Sequence, residues 1–249
     1  MSRYFIEVAY KGTNYSGFQA QQNANTIQDE IEKALLIYFK TVFALTGSSR
    51  TDSGVHAAQN YFHFDFEEID QPLWEKVVYH LNAILPADIV IKGIFRVKDQ
   101  AHCRFDAIKR TYEYSLYSSK DPFLQDWAFY YPYKLNIELM NEAATFITEV
   151  CDFESFSKRN TQVKTFNCII KESGWQLKDG TLVYQVSGNR FLRGMVRGLV
   201  GTMLKVGREK YTIAYFKEIV GSKDASLVDF SVPAHGLKLK GVAYSDDIT

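Results

Sequence analysis

Strand and helix signals recur twice along the chain in the order strand–helix–strand–strand–helix–strand. This order predicts an α+β protein of two ferredoxin-like (RRM-like) halves, with a mixed, mostly antiparallel sheet and helices on one face. Two further observations agree. A composition of 46% hydrophobic and 23% charged residues is ordinary for a globular chain, and 249 residues suffice for one large domain or two smaller ones, each with a real core. The halves meet near Phe105–Ile108 with no Gly/Ser- or Pro-rich linker, so the expected domains are 1–107 and 108–249.

The elements follow in order. Tyr4–Tyr10 is aromatic and β-branched and ends at Gly12, the pattern of a strand. Ile27, Ile31, Ala34, Leu35 and Tyr38 form one helical stripe, with Asn25 or Thr26 as cap and Asp29 in the first turn. Val42–Leu45 predicts a short strand, 47–54 a loop of small residues, and Val55–Phe66 a long strand. Pro72 suits the first turn of a helix carrying Trp74, Val77, Val78 and Leu81, which Pro86 stops; Asp88–Phe95 is a further strand. In the second half Arg110–Tyr117 alternates, with Tyr112, Tyr114 and Leu116 on one face. Asn136 caps a helix with the stripe Leu139, Ala143, Phe146, Ile147 and Val150. Strands over 166–175 and 181–186 flank a turn at Asp179-Gly180. Helices over 190–206 and 212–220 and a strand near Leu239–Tyr244 close the chain. Aromatic residues make up 15% of the sequence. Most belong to a core, but an open aromatic sheet face is also a common RNA platform.

Composition excludes several classes. No run approaches the roughly 18–20 apolar residues of a membrane span, and residues 1–7 hold no signal-peptide core, so a cytoplasmic protein without membrane contact is expected. Cys103, Cys151 and Cys168 are scattered, without Cys-x-x-Cys, against a disulfide framework or zinc ribbon. His56, His63, His80, His102 and His235 show no ligand spacing, and His56 and His63 fall on opposite faces of one strand, so no metal is expected. With 29 basic and 29 acidic residues the net charge is zero, which argues against coating nucleic acid by bulk attraction. The charge is nevertheless sorted. Residues 185–208 carry Arg190, Arg193, Arg197, Lys205 and Arg208 and no acid, whereas Asp65, Glu67, Glu68 and Asp70 cluster in 65–70.

Two segments carry chemistry. Gly12-Thr13-Asn14-Tyr15-Ser16-Gly17 is not a phosphate loop, because Phe18-Gln19 stands where Lys-Ser/Thr is required, and it lacks the glycine pattern of a dinucleotide site. No Gly-x-Ser-x-Gly elbow occurs. The loop Gly47–Ala57 is different: its small residues admit a planar ligand to the backbone, and it holds one carboxylate, Asp52, with Arg50 two residues before and His56 four after. A neighbouring Arg favours the ionised form that a nucleophile needs; a turn Asp bonding its own backbone has the same local sequence. In the second segment, Gly188–Arg197, a helix from Arg190 places Arg190, Arg193 and Arg197 at i, i+3 and i+7 on one face, a phosphate-binding stripe beside a helix start. The alternative is a solvated charged face, which usually has acidic partners at i±4; none is present.

Arg50-Thr51-Asp52-Ser53-Gly54-Val55-His56-Ala57 resembles the active-site signature of the bacterial tRNA pseudouridine synthase A family, Gly-Arg-Thr-Asp-Ala-Gly-Val-His. Further stretches resemble the family in the same order: Tyr10–Gln19, His102–Ala107 with Arg110–Tyr114, Asp152–Phe156, and Phe191–Arg197. Ser49 stands where the family has Gly, Ser53 where it has Ala, and Phe18 where it often has Trp; all keep small or aromatic character, and they bear on fine substrate choice rather than on catalysis.

The resemblance implies an isomerase that converts uridine to pseudouridine at positions 38, 39 and 40 in the anticodon stem-loop of tRNA, in a cleft between the halves, as a homodimer. Asp52 matches the nucleophile, with uracil C6 and ribose C1′ both open to it. Tyr112 matches the residue that stacks on the target uracil and whose hydroxyl can help move the C5 proton, and Arg197 matches the charge partner of the Asp. Arg50 would support the flipped nucleotide, and Arg190 and Arg193 the backbone, with Lys158 and Arg159 as further candidates. Such a reaction neither oxidises nor hydrolyses overall, so it implies no cofactor. Two other readings compete. A non-catalytic RNA-binding module of twin ferredoxin-like halves has no need of Asp52 and here lacks the RNP1 pattern. A glycosidase needs two carboxylates about one bond.

Overall fold

The computed structural model describes residues 1–158 and 163–248, so Arg159 lies outside the described residues. Two compact units are found, Met1–Ile108 with Leu239–Thr249, and Lys109–Lys238. Both are α+β with mostly antiparallel strands.

The first unit holds β1 (Ser2–Tyr10), α1 (Ile27–Phe39), β2 (Thr46–Gly47), β3 (His56–Phe66), α2 (Gln71–Ile84) and β4 (Ile89–Val97). β1 is central, antiparallel to β4 on one side and β3 on the other, and β2 pairs with β3. α1 starts where the sequence places it: Thr26 accepts from the Asp29 amide and caps the helix. Its buried residues are Ile27, Ile31, Ala34 and Leu35. α2 buries Trp74, whose ring lies 4.9 Å from Tyr4 and 5.9 Å from Phe64. On the other face of β1, Phe5 is fully buried among Tyr61, Phe95 and Tyr244. Tyr61 is buried as well and Phe95 and Tyr244 are half-buried, so this aromatic cluster is packed rather than an open platform.

The strand expected at 42–45 is absent. Leu45 donates its amide to the Glu32 carboxylate and accepts from the Gln28 side chain, so helix α1 takes the bonds that a strand partner would have used. Phe43 and Leu45 are still buried, which explains the apolar pattern.

The second unit holds β5 (Lys109–Tyr117), β6 (Phe129–Tyr130), α3 (Ile137–Phe146), β7 (Ile170–Lys178), β8 (Thr181–Gly188), α4 (Met195–Gly207) and α5 (Ile213–Gly221). The order β5-β8-β7 is antiparallel, with β6 parallel to the end of β5. Asp179 and Gly180, at φ 48° and 77°, make the tight turn between β7 and β8. Asn136 and Thr212 cap α3 and α5. β7 begins at Ile170 rather than 166; α3 buries Met140, Ala143 and Ala144, with Ile147 buried just past its end, while Leu139, Phe146 and Val150 of the expected stripe are only half-buried. The last strand, β9 (Leu237–Ala243), runs beside β3; Gln59 accepts from Val242, and Tyr244 donates to the Cys103 carbonyl.

The helix expected from Arg190 starts five residues later. Gly194 has φ 76°, a left-handed conformation that a right-handed helix cannot contain, and the Arg193 carbonyl accepts from Lys158. Arg190 and Arg193 therefore precede α4, and the i, i+3, i+7 stripe does not form.

One cluster in the first unit joins residues that no local spacing connects. His63, His102 and Cys103 bring ligand-type atoms within 4.8 Å of one another, the one such group of three or more found among the described residues. The bonds there are those of a clasp. Cys103 donates its amide to His63 Nδ1 and its thiol to the Thr46 carbonyl, and this fastens the loop after β4 to β2 and β3. Burial, then the neighbouring His102 and Arg3, push the His63 imidazole down to about 4. Between pH 6.5 and about 4 the unfolded chain binds a proton at residue 63 that the folded chain does not. Stability contributed by the neutral ring is thus complete above pH 6.5 and is lost as the pH falls toward 4, by up to about 3 kcal/mol. Urea unfolding of His63→Asn, which keeps an acceptor near Nδ1, should show a shallower decline across that window than the parent; equal slopes would show that other groups set the acid sensitivity.

Candidate active site

The loop 48–55 is held at almost every residue. Ser48 donates to the Tyr61 carbonyl, and Ser49 exchanges bonds with the side chain of Asn60, its amide to Oδ1 at 3.3 Å and its carbonyl from Nδ2 at 2.9 Å. Asn60 is fully buried and fully satisfied, because Nδ2 also donates to the Tyr10 hydroxyl and Oδ1 accepts from the Tyr61 amide. Tyr10 in turn shares a bond of 2.8 Å with the Thr51 hydroxyl, and the Thr51 carbonyl accepts from Phe18. On the far side Val55 donates to the Asp52 carbonyl, Gly54 turns with φ 78°, and the Ser53 hydroxyl and Gly54 amide reach the Tyr15 carbonyl. Asp52 thus rides on a fixed backbone with its side chain half-buried, while Arg50 is exposed.

Gly12-Thr13-Asn14-Tyr15-Ser16-Gly17 serves this loop. The Gly12 amide donates to His56 Nδ1 at 3.0 Å, so His56 is a buried acceptor rather than a solvent-facing acid or base. A β-carbon at Gly17, where φ is 108°, would stand 3.0 Å from the Thr51 carbonyl oxygen.

The other residues picked out by sequence lie in the second unit. Tyr112 is buried on β5, opposite Val186 of β8, and its ring meets Phe191 edge-on at 5.1 Å. Nearby, buried Arg110 donates to the Asn189 carbonyl and so anchors the start of the basic segment. Arg190 is half-buried and Arg193 exposed. Arg197, in the first turn of α4, is half-buried; its Nε and Nη2 both donate to the Val232 carbonyl at 2.8 and 2.6 Å, and Nη2 reaches the Phe230 carbonyl at 3.5 Å. These carbonyls orient the guanidinium without neutralising it. The same segment is fixed by Tyr114, which donates to the Pro233 carbonyl and whose hydroxyl is pushed up by burial.

The family model of tRNA pseudouridine synthases matches residues 6–106 and 151–245. The chain belongs to the tRNA pseudouridine synthase family. The matched segments include Arg50, Asp52, Arg190, Arg193 and Arg197; Tyr112 lies between them. The chain is 43% identical to a tRNA pseudouridine synthase A of Parabacteroides distasonis across all of this chain and 98% of that protein. It is also 43% identical to one of Porphyromonas gingivalis across 100% and 99% of the two chains. Identity to one of Staphylococcus aureus is 36%, covering 98% and 91%. As a member of this family the protein is an isomerase that acts on tRNA. No helix among the described residues is long and apolar enough to cross a membrane.

Sequence reading missed Asn60 and Arg110. The signal for Asn60 was present: Gln59-Asn60 interrupts an aromatic, β-branched strand with residues that strands disfavour. Asn60→Ala removes the partner of both Ser49 backbone groups, at about 1–3 kcal/mol for each buried group left unsatisfied. A loop displaced by even 1 Å can lose about 100-fold in rate. The expected result is a lower urea midpoint and a kcat reduced at least about tenfold, with tRNA affinity within a few fold. An unchanged kcat would show that the loop holds Asp52 without Asn60.

Proposed function

We propose that this isomerase acts on uridines 38, 39 and 40 of the tRNA anticodon stem-loop with Asp52 as its nucleophile, and that it works in the cytoplasm as a homodimer. The observation that carries the catalytic part is the pinned loop. The one carboxylate of a loop bonded to Tyr10, Tyr15, Phe18 and Asn60 is preorganised for attack at one fixed point. The choice of stem-loop, the three positions, the compartment and the oligomeric state rest on the family resemblance.

The chemistry balances within the substrate. The N1–C1′ bond breaks, the uracil turns, and a C5–C1′ bond forms; C5 gives up its proton and N1 ends protonated. Nothing is oxidised or hydrolysed overall, so the reaction asks for no cofactor. Asp52 supplies the electron pair for the covalent step. Tyr112 stacks on the target uracil, and its hydroxyl assists removal of the C5 proton. Arg197 is the charge partner of the carboxylate, a role open to a guanidinium whose direction carbonyl oxygens fix. The target base leaves its stack at a cost of a few kcal/mol, and Arg50, Arg190 and Arg193 offset it through contacts to the extruded nucleotide and its phosphates.

Release of tritium from tRNA labelled at uracil C5 tests the reaction and the nucleophile together. Asp52→Asn keeps the shape and loses the electron pair, so it should fall below roughly 1% of the parent rate while tRNA binding stays within a few fold. Release well above that level would reassign the nucleophile.

Arg197 and Arg193 should separate by burial. Arg193→Ala removes an exposed phosphate contact, so KM should rise, kcat should change little, and the salt slope of binding should fall by about 1. Arg197→Ala should lower kcat strongly with little effect on binding. Binding across a salt series and single-turnover rates measure both; a shared salt slope would remove the division.

A further inference from the structure

Within the first unit, beside the Asp52 loop, lies a cavity of about 310 Å³ whose walls include Phe18, Gln28, Arg50, His102, Arg104 and Phe105. Its volume is at the lower end of small-ligand pockets. Among the described residues that line it there are two arginines and no carboxylate. One wall is unusual for its exposure: Phe105, a large aromatic residue, is 73% exposed.

That turn is rigid. His102 donates its amide to Asp106 Oδ2 at 2.7 Å, and the His102 carbonyl accepts from Phe105 and Asp106. His102 Nδ1 accepts from the Arg104 amide at 3.1 Å and from the Phe105 amide at 3.4 Å. An imidazole whose Nδ1 accepts, held neutral by burial, carries its proton on Nε2 and presents a donor there. The His102 ring also supports Phe105, with centroids 4.2 Å apart, and the Arg104 guanidinium carbon stands 5.7 Å from the Phe105 centroid. The cysteine clasp to β2 and β3 holds the turn from below. An exposed aromatic ring on a fixed backbone, next to two guanidinium groups, is the chemistry of a nucleotide site: a face on which a base stacks and donors for its phosphate.

We propose that this cavity is a subsite for a tRNA nucleotide near the target uridine, its base stacked on Phe105 and its phosphate held by Arg50 and Arg104. The proposal rests on the tRNA reading given above. Position supports it, since Arg50 is two residues from Asp52, a chain span of at most about 7 Å. A nucleotide gripped by Arg50 therefore lies within one or two steps of the reacting one. The subsite gives the enzyme a second hold on the strand.

The experiment compares the parent with Phe105→Ala, Phe105→Trp and Arg104→Ala in steady-state tritium release, in tRNA binding across a salt series, and in inhibition by free uridine and adenosine monophosphates. Phe105 is exposed, so its replacement should leave the fold intact, which thermal melts check. Loss of one stacked base at about 1–3 kcal/mol corresponds to about a 5- to 150-fold rise in KM for Phe105→Ala. At saturating tRNA its kcat should stay within about twofold and its salt slope should not change. Phe105→Trp should restore KM, which a merely structural role would not produce. Arg104→Ala should lower the salt slope by about 1. If Phe105→Ala leaves KM within twofold while the parent releases tritium normally, the subsite is wrong and the isomerase reading stands. If the parent releases no tritium, the isomerase reading itself fails. Inhibition by free monophosphates that Phe105→Ala relieves, without any change in KM for tRNA, would assign the cavity to a free nucleotide and overturn the proposal.

Discussion

The backbone at Gly12 approaches Val55 so closely that a β-carbon there would stand 2.0 Å from the Val55 carbonyl oxygen. No flexible side chain can yield at that point, because the obstacle is backbone. The closeness lets the Gly12 amide reach His56 Nδ1 and brings the Tyr15 carbonyl to Ser53 and Gly54. The end of β1 thereby sets the position of a loop some forty residues further on, and Asp52 inherits its place from that contact. Tyr10 and Asn60 complete the frame from β1 and β3, so the loop that carries the carboxylate is mounted on two paired strands of its unit. A loop with this many backbone bonds has little freedom left to lose when substrate arrives, and that is the energetic sense of preorganisation.

The second unit solves a different problem in a similar way. Gly198 and Gly201 of α4 let the segment 228–232 lie directly on the helix; a β-carbon at Gly201 would stand 2.1 Å from the Asp229 carbonyl oxygen. Thr202 donates to the Gly198 carbonyl and accepts from the Asp229 amide, closing the contact. The Phe230 and Val232 carbonyls then point at Arg197. Holding a guanidinium with carbonyls differs from holding it with a carboxylate. The dipoles fix its direction, but its full charge remains to act on an anion. Had α4 begun at Arg190, all three arginines would have shared one surface stripe. The left-handed turn at Gly194 separates Arg197, built into the helix, from Arg190 and Arg193 on irregular chain before it.

What could be read from sequence divides along physical lines. Signals that act within a few residues were legible: the Thr26 cap and the stripe as far as Leu35 (Tyr38, its last member, is exposed), the span of α2 between Pro72 and Pro86, the Asp179-Gly180 turn, and the alternating face of β5. The family signature around Asp52 was legible because its residues are contiguous. Contacts between distant residues were not. Leu45 reads as strand until Gln28 and Glu32 of α1 take its backbone bonds. The His63–His102–Cys103 clasp joins residues up to 40 apart, so a search for ligand spacing passes over it. The arginine stripe fails for a local reason: glycine at 194 permits a helix but permits the left-handed turn as well, and the Lys158 bond to the Arg193 carbonyl favours the turn.

A zero net charge constrains how such a protein handles a polyanion. Long-range attraction contributes little when 29 positive charges face 29 negative ones, so encounter and non-specific binding gain little from the whole molecule's field. Extruding a base from a stem still costs a few kcal/mol. The compensation has to come from contacts formed only when the strand is seated: stacking on aromatic faces, bidentate guanidinium–phosphate bonds, and donors aimed from fixed backbone. These interactions fall off within a few ångströms, and a strand shifted by one nucleotide loses most of them. A strongly basic protein would bind many RNA registers almost equally well, and much of that binding would be unproductive. Neutrality with locally sorted charge ties affinity to register, so under the proposed function the carboxylate at 52 meets a base chiefly when the contacts that extrude it are already in place.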